Sequence, residues 1–410
     1  MEERAWKILI VYARFGDGHY QVSKALEQQF ASHPGARFEV HLVDLFAEAH
    51  PAMDAIVRCA YAKSMTWFPK TYGWSYRVTN GMKYDRPLGR WLHAFGQSKM
   101  ASLLQTIKPD AVIHTFPFLA TYPAMASSGI SIPTYTVITD YELHTRWIHP
   151  LTDGYFVATE EMKAQIAGMG IREDRIHVTG IPIRGQFRGE RRSRLEICGE
   201  KGLDPDRAYV LVMIGALSDP ERLVDSLLKL ELSATLLLVA GRNAKLCRRL
   251  AKRYESRTEV QVIGYADHIE AYMSVASCIV TKAGAVTLTE AIAMGVPVVV
   301  YKPMPGQELG NAEYWDRKQA LRMAKDAASV RAAVELAIRS REDAPACRIG
   351  QTDASRVIVA EVLRGGGAGR TARRSSELAS PAVRIAPAGR EAGEALRGFF
   401  EIDPPFDTRI

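Results

Sequence analysis

Short, almost continuously apolar runs alternate with longer amphipathic stretches along most of this chain. In the first half the apolar runs are KILIVYA, FEVHLVDL, AVIHTF, TYTVIT, GYFVAT and HVTG, and in the second half they are YVLVMIG, TLLLVAG, VQVIGY, CIVTK and PVVVYK. Runs without polar alternation are typical of strands covered on both faces, and their alternation with helix-length stretches is typical of βαβ units. The pattern therefore predicts parallel sheets in an α/β fold.

The strand and helix pattern starts afresh after a polar, basic stretch at residues 184–207. We interpret that stretch as a linker between two Rossmann-like, doubly wound domains at residues 1–183 and 208–363, because one core rarely serves a chain of 410 residues. Ligands of such domains bind beyond the carboxyl ends of the strands, so a cleft between the domains is expected. The Gly- and Arg-rich residues 364–410 predict a disordered tail, with a task at anionic lipid or nucleic acid left open.

The composition narrows the cellular setting. Five cysteines are spread along the chain without a CxxC pair, and the N terminus has no apolar leader, so we expect a reducing cytosol. No apolar run reaches the roughly 18 residues that a membrane-spanning helix needs. The sequence DPD at residues 204–206 lies in the linker, where a turn or helix cap is expected rather than a metal site.

Positive charge concentrates between residues 58 and 99. These residues hold eight Lys or Arg and one acidic residue, a local net charge of +7 that equals that of the whole chain, with nine aromatic residues interleaved. The combination suits the interface of an anionic membrane, while a core with a solvated basic face and a site for single-stranded nucleic acid are alternatives. The candidate membrane or acceptor contacts are Trp67, Phe68, Trp74, Arg77, Lys83, Arg86 and Trp147.

The clearest candidate for ligand binding is residues 280–315, VTKAGAVTLTEAIAMGVPVVVYKPMPGQELGNAEYW. Near Gly284 small residues let a ligand approach the backbone, and the following helix offers free N–H groups and a dipole to an anion such as phosphate. Glu290 is placed to accept hydrogen bonds from a ribose, or to cap the helix. Gln307 and Glu308 suit a polyol such as a sugar ring, with an ordinary helix start in a surface loop as the alternative.

Residues after two first-domain strands supply a candidate base. His19, in RFGDGHYQVSKAL, ends the first strand-to-helix loop, and a histidine can take a proton near neutral pH; a helix start without a chemical task is the alternative. Asp140 and His144 follow TYTVIT, and Asp140 is expected to orient a histidine or to cap a helix. His144 and His149 could bind a metal, but no third ligand completes the set, so shaping the acceptor pocket or assisting the base is favoured.

Four segments resemble, in the same order, the GT-B glycosyltransferases that make membrane glycolipids. They are GDGHYQVSKAL, VITDYELHTRWIHPLTDGYFVATEEMK, VTGIPIRGQF and the stretch from TKAGAV to EYW. The resemblance is nearest to bacterial processive diacylglycerol glucosyltransferases, and more distant to monogalactosyldiacylglycerol synthases and the transferase that forms lipid II. It covers roughly residues 5–363.

The resemblance implies roles for individual residues. Thr287, Leu288 and Thr289 would hold the diphosphate, Glu290 the ribose, and Gln307 with Glu308 the sugar. Gly264 and Tyr265 would lie at the uracil, and Gly215 at the tip of a loop over the phosphates. The chain departs from relatives at Ala216, Leu217, Ala283, Ala285 and Lys318, without losing a reacting group.

The implied function is inverting, metal-independent transfer of glucose from UDP-glucose to diacylglycerol, possible in repeated rounds, by an enzyme peripheral to the cytoplasmic face of the membrane. UDP-galactose as donor, or another lipid acceptor, is the alternative within the enzyme class. A UDP-sugar sensor that no longer transfers is the alternative outside it. No cofactor and no nucleic-acid partner are expected.

Overall fold

The computed structural model describes residues 4–51, 80, 96–117, 119–189, 192–217, 219–341 and 353–368. The first sheet and its helices comprise β1 (Trp6–Tyr12), α1 (Gly18–Ala31), β2 (Phe38–Asp44), α2 (Leu45–Ala49), α3 (Gln97–Ile107), β3 (Ala111–His114), α4 (Thr121–Ser128), β4 (Thr134–Val137), β5 (Gly154–Val157), α5 (Glu160–Gly168) and β6 (Ile176–Val178). Short 3₁₀ turns occur at Thr145–Trp147, Glu173–Arg175 and Gly185–Phe187.

The second half of the chain repeats this construction. Its elements are α6 (Arg194–Lys201), β7 (Ala208–Val212), a 3₁₀ turn at Ile214–Ala216, α7 (Pro220–Leu227), β8 (Ala234–Val239), α8 (Ala244–Arg253), β9 (Val260–Ile263), α9 (Ile269–Val275), β10 (Cys278–Thr281), α10 (Ala285–Ala293), β11 (Val298–Tyr301), α11 (Gln307–Arg317), β12 (Arg322–Ala324), α12 (Ala327–Arg341) and α13 (Ala354–Ala368).

The strands form two six-stranded parallel sheets. The order is β2-β1-β3-β4-β5-β6 in the first and β12-β11-β10-β7-β8-β9 in the second. Every apolar run of the sequence forms a strand, and β12, whose sequence RMA is too short for such a run, is the additional edge strand. The predicted pair of doubly wound α/β domains is confirmed.

Burial on both faces explains why the strands lack polar alternation. In β1, Ile8 and Ile10 pack against α1 on one face of the sheet, whereas Leu9 and Val11 pack against α3 and α4 on the other. Because each face has its own helices, both sets of side chains are removed from water. The second sheet has the same two-faced core.

The stretch interpreted as a linker contains a helix of the second domain. Ser193 and Glu196 form a reciprocal capping box that starts α6, and Ile197, Cys198 and Leu203 are buried in the core of the second sheet. The sequence S-x-x-E is a signature of such a helix start, which the prediction of a linker does not take into account. The connection between the domains therefore lies before α6.

The last described helix returns to the first domain. Ile358, Val359 and Val362 of α13 are fully buried against the first sheet, although the sequence analysis placed residues 354–363 in the second domain. The pair Arg188 Nη1 and Asp353 Oδ1, 2.6 Å apart, fixes the start of this crossing. The helix continues to Ala368, into the stretch predicted as tail, and residues 369–410 lie outside the described part of the chain.

Candidate active site

The two domains meet where the strand order of each sheet reverses. In the first sheet β1 lies between β2 and β3, and in the second β7 lies between β8 and β10. A Cβ atom added at Gly18, at the start of α1, would be 3.4 Å from Cγ2 of Val286 in α10. Ala285 and Val286 also pack into the core cluster of the first domain. The helix start that carries His19 therefore adjoins the helix start predicted to hold phosphate.

His19 is held by two neighbouring strand ends. Its Nδ1 atom lies 2.7 Å from the carbonyl oxygen of Thr115, which follows β3, and 3.0 Å from Oγ1 of Thr139, which follows β4. Because a carbonyl oxygen can only accept, Nδ1 carries the proton and Nε2 of the neutral ring carries the lone pair. No described residue hydrogen-bonds to Nε2.

The surroundings of His19 keep its ring neutral. The side chain is half-buried, and the ring of Phe116 meets it edge-on with the centroids 4.8 Å apart. Burial lowers the pKa of His19 from 6.5 to about 4, although the hydrogen bond to Thr115 acts in the opposite direction. At neutral pH the ring is therefore an unprotonated acceptor, as a general base must be.

His144 and Trp147 lie in and next to the 3₁₀ turn that follows β4. Nδ1 of His144 accepts a hydrogen bond from the backbone N–H of Arg146 at 3.2 Å, so the neutral ring carries its proton on Nε2. Trp147, predicted as a membrane or acceptor contact, is 2% exposed in a core cluster, and its ring centroid lies 6.2 Å from that of His19. His149 is buried and stacks on Tyr122 with centroids 3.8 Å apart.

Asp140 reaches across the domain boundary. Its Oδ1 accepts a hydrogen bond from Nδ2 of Asn311 in α11 at 3.1 Å, and the next backbone N–H, of Tyr141, donates to Oδ1 of Asn311 at 2.8 Å. Burial raises the pKa of Asp140 to about 6, against the effect of hydrogen bonds from Gln307 and Asn311. The described contacts of this carboxyl are with α11, the helix that carries the predicted sugar contacts, and its predicted role of orienting a histidine or capping a helix stays a prediction.

The N terminus of α10 is open to a ligand. Gly284 is the residue before the first turn, and no described side chain caps this end of the helix. The first intrahelical hydrogen bond runs from the N–H of Leu288 to the carbonyl of Gly284 at 3.0 Å, which leaves the N–H groups of residues 285–287 available. Thr287 is half-buried at this end, so its hydroxyl is placed to join the backbone in binding an anion.

Two residues expected at the diphosphate have other side-chain contacts. Leu288 is fully buried in the core of the second domain. The hydroxyl of Thr289 donates to the carbonyl of Ala285 at 2.7 Å and lies 2.7 Å from the hydroxyl of Tyr141. The reason is the position of the helix start, because a side chain in the second turn of α10 points into protein. The available N–H groups therefore include that of Thr287 and precede Leu288 and Thr289.

Glu290 is a buried carboxyl group without a hydrogen-bond donor among the described residues. It is 5% exposed, and burial raises its pKa to about 8, while nearby Arg184 acts to lower the pKa and Glu270 to raise it further. Nε of Arg184 and Oε2 of Glu270 are also buried without a described partner. The capping interpretation of Glu290 is wrong, since no side chain of the described residues caps α10. Arg184 is not among the residues predicted from the sequence, although the segment VTGIPIRGQF contains it.

The sugar-binding candidates stand at the start of α11. Glu308 is 8% exposed, its Oε1 lies 2.7 Å from Nζ of Lys282, and its Oε2 accepts from the N–H of Met304 at 3.2 Å. Lys282 follows β10, so the ion pair joins the two loops that flank the expected ligand. The alternative of an ordinary surface helix start does not fit a buried, ion-paired Glu308. The half-buried Gln307 hydrogen-bonds the carboxyl of Asp140.

The residues predicted to lie near the nucleotide are in loops that follow strands of the second sheet. A Cβ atom at Gly215 would lie 2.5 Å from the carbonyl oxygen of Ala240, so only glycine lets these loops approach. Gly264 directly follows β9, and Tyr265 is 39% exposed beneath the guanidinium of Arg242, which lies 3.9 Å from the ring centroid. Arg242 Nε is also 4.0 Å from Asp17 Oδ2, in the loop that leads to His19.

The remaining predictions from the sequence concern a metal ion, the membrane and the sequence DPD. Among the described residues, no group of three or more His, Cys, Asp or Glu side chains could hold a metal ion, and no helix is long and apolar enough to cross a membrane. At residues 204–206 the side chain of Asp204 accepts from the N–H of Asp206 at 3.0 Å, as a turn requires. The following membrane candidates lie outside the described residues: Trp67, Phe68, Trp74, Arg77, Lys83 and Arg86.

Known proteins share both halves of this arrangement. Residues 19–183 match the family model for monogalactosyldiacylglycerol (MGDG) synthase, and residues 199–348 match that for glycosyl transferases group 1. A processive diacylglycerol beta-glucosyltransferase of Bacillus cytotoxicus is 38% identical over 328 residues, covering 79% of this chain and 83% of the relative. This chain belongs to the diacylglycerol glucosyltransferase family. A protein of the same name from Bacillus cereus is 38% identical over 334 residues, 80% of this chain and 84% of the relative.

Solved structures share the fold of this family member. UDP-GlcNAc 2-epimerase from Neisseria meningitidis, bound to UDP-GlcNAc, matches with a TM-score of 0.54 and 15% identity over 87% of this chain and 100% of that chain. MurG of Acinetobacter baumannii matches with a TM-score of 0.53 and 15% identity over 88% of this chain and 99% of that one. The predicted GT-B fold and the predicted glycosyltransferase family are confirmed.

Proposed function

We propose that this protein transfers glucose from UDP-glucose to diacylglycerol, with inversion at the sugar carbon and without a metal ion. The observation that carries the proposal is the contact between two helix starts, one bearing neutral His19 and the other, in α10, uncapped. The substrates are taken from relatives named processive diacylglycerol beta-glucosyltransferase, at 38% identity.

The reaction follows from these positions. Nε2 of His19 takes the proton of the lipid hydroxyl as its oxygen forms a bond to C1 of the sugar, while the bond from C1 to the UDP oxygen breaks. The electron pair leaves with UDP, and the N–H groups and dipole at the start of α10 stabilise the charge that develops on the diphosphate. Attack from the side opposite the leaving group inverts the anomeric centre.

The remaining groups hold the donor in this proposal. Glu290 accepts hydrogen bonds from the ribose hydroxyls, which supply the donors that the buried carboxyl lacks in the protein. Glu308, kept in place by Lys282 and the N–H of Met304, meets the sugar hydroxyls, and Gln307 lies beside it. Tyr265 and Gly264 lie at the uracil of UDP.

We further propose that the basic, aromatic residues 58–99 bring the enzyme to an anionic membrane surface, on the cytoplasmic side. Their charge of +7 supports this, because basic residues near such a surface are worth about 1 kcal/mol each. Vesicle binding should weaken as salt rises and as anionic lipid is withdrawn. Binding that is independent of salt would argue against this surface.

The decisive assay incubates the purified protein with diacylglycerol vesicles and either UDP-glucose or UDP-galactose, followed by mass spectrometry of the lipids. We expect mono- and then diglucosyl lipid from UDP-glucose, and His19→Ala serves as the matched control. A galactolipid product would support the galactosyl alternative, to which the match of residues 19–183 gives weight. UDP binding without any glycolipid product would leave the sensor alternative.

A further inference from the structure

Asn311 in α11 joins the two domains through three buried hydrogen bonds. Its side chain is 1% exposed, and its Oδ1 accepts from the backbone N–H of Tyr141 at 2.8 Å. Its Nδ2 donates to Oδ1 of Asp140 at 3.1 Å and to the carbonyl oxygen of Ala283 at 3.3 Å. Because a backbone N–H only donates and a carbonyl only accepts, these partners fix the orientation of the amide. Two of the bonds reach the first domain, and the third stays within the second.

The bond to Ala283 acts on the start of α10. Ala283 is fully buried and directly precedes Gly284, after which the helix begins. The carbonyl of Ala283 and the N–H of Gly284 belong to one planar peptide group, so a hydrogen bond to this carbonyl fixes the peptide that leads into the helix. The direction of the available N–H groups of residues 285–287 depends on that peptide.

The bonds to the first domain act on the sugar contacts and on the position of that domain. Gln307 and Asn311 are four residues apart in α11, so they share a face of the helix, and both hydrogen-bond the carboxyl of Asp140. The next residue, Tyr141, has its hydroxyl 2.7 Å from that of Thr289 in α10. The first domain therefore contacts both helices whose starts are expected to hold the donor.

We propose that Asn311 is a positioning residue that fixes the start of α10 and the first domain in one arrangement, so that donor and base are aligned together. It is too buried to contact a substrate and acts through its three partners. The bond to Ala283 orients the groups that bind the diphosphate, and the bonds to Asp140 and Tyr141 hold the domain that carries His19. The nature of donor and base rests on the proposed function.

Four full-length proteins separate these two effects: the wild type, Asn311→Asp, Asp140→Asn and the double variant. Asn311→Asp keeps the shape of the side chain, but its carboxylate donates to neither Asp140 nor Ala283. In the double variant the amide at position 140 donates to the carboxylate at position 311, so the bond between the domains returns with its direction reversed. The carbonyl of Ala283 does not regain its donor.

The measurements are kcat with diacylglycerol vesicles and saturating UDP-glucose, UDP affinity by calorimetry, and urea unfolding. Gln165→Ala, which removes an exposed amide from α5, is the control and should match the wild type. If Asn311→Asp does not fold, Asn311→Ala replaces it for UDP binding, because alanine favours the helix. The kcat of the double variant is then compared with that of Asp140→Asn, and a tenfold lower value counts against the inference.

We expect Asn311→Asp to lower both kcat and UDP affinity by about tenfold or more, because buried groups lose their donor. Asp140→Asn should lose less, since an amide oxygen still accepts. The double variant should regain most of the kcat but not the UDP affinity, a separation that general destabilisation would not produce. A kcat no higher in the double variant than in Asn311→Asp, or UDP affinity equal to wild type in both, overturns the inference.

The two readouts keep this inference distinct from the proposed function. If the wild type makes glycolipid and the variants fail the comparison above, the positioning role fails while the glucosyltransferase stands. If the wild type binds UDP but no vesicle gives glycolipid, the proposed function fails. The UDP affinities of the wild type and Asn311→Asp then still decide whether Asn311 sets the start of α10.

Discussion

Nδ1 of His19 lies 2.7 Å from the carbonyl oxygen of Thr115, and this contact separates the two candidate bases. It fixes the proton of His19 on Nδ1 and the lone pair of the neutral ring on Nε2. In His144 the N–H of Arg146 donates to Nδ1, so the proton of the neutral ring is on Nε2. Of these two histidines, His19 is therefore the one with an acceptor lone pair at Nε2.

Replacing His19 by alanine should abolish most transfer without harming donor binding. Loss of a general base lowers the rate by about 100-fold or more, while UDP affinity should stay within about twofold. Transfer is measured with labelled UDP-glucose and affinity by calorimetry. His144→Ala is the comparison, and a larger loss of rate in that variant than in His19→Ala would move the base to His144.

The pH dependence should report the low pKa of His19. Since that pKa is about 4 in the folded protein, kcat/KM should show no titration near 6.5 and should fall only as pH approaches about 4. The stability of the protein should also decrease as the pH falls. Because the pKa is lower in the folded than in the unfolded state, the free energy of unfolding is fully present above pH 6.5 and decreases as pH falls toward 4.

A profile of kcat/KM from pH 4 to 9 checks this expectation, with urea unfolding of the wild type and His19→Ala at each pH. The alanine variant should lose the part of the acid destabilisation that comes from His19. A fall in the kcat/KM of the wild type centred near pH 6.5, absent from the alanine variant, would contradict a buried, neutral His19.

Glu290→Gln should stabilise the empty protein in alkali while weakening nucleotide binding. The pKa of this carboxyl is about 8 in the folded protein and ordinarily 4.5, so the free energy of unfolding falls as pH rises between these values. The amide has no charge to bury, so the variant should lack this fall. At pH 9, where the carboxyl is charged, loss of this acceptor for ribose should cost about tenfold or more in UDP affinity.

Urea unfolding at pH 5 and pH 9, with calorimetry of UDP, measures both effects. The matched control is Glu255→Gln, since Glu255 is exposed. Identical pH dependence of stability in wild type and Glu290→Gln, together with unchanged UDP affinity, is the outcome that would refute the role of Glu290.

Gly310→Ala should disturb the contact between the domains. A Cβ atom there would lie 1.5 Å from Oε2 and 2.9 Å from Cβ of Glu142, so Glu142 or the backbone must move. Such overpacking costs about 1–3 kcal/mol. We expect lower stability and slower transfer, measured by urea unfolding and the lipid assay. Gly199→Ala, where a Cβ meets nothing within 4 Å, is the control and should lose neither.

Chelation should leave the proposed reaction unaffected. In that mechanism the start of α10 stabilises the leaving diphosphate, so transfer should proceed at the same rate in EDTA as in buffer. The rate is compared before and after dialysis against EDTA, and then with added magnesium or manganese. Activity that is lost on dialysis and restored by one of these ions would show that the diphosphate needs a metal.

The sequence by itself determined the strands and the class of fold, and that class predicts the edge of each sheet at which a ligand binds. Each sheet is covered by helices on both faces, so every residue of a strand is buried and must be apolar. The apolar runs of the sequence therefore mark the strands. The start of α10 and the position of Glu290 also follow locally, since glycine, small residues and helix period act over a few residues.

Only the tertiary structure decided which distant groups meet. The apolar face of α13 needs a partner, but nothing in its own sequence selects the first sheet over the second. Asp140 hydrogen-bonds Asn311, which is 171 positions away in the sequence. Thr115, which fixes the proton of His19, is 96 positions away from it in the sequence. Local sequence sets the conformation and apolar pattern of an element, whereas the packing of the whole chain sets the distances and burial on which hydrogen bonding and pKa depend.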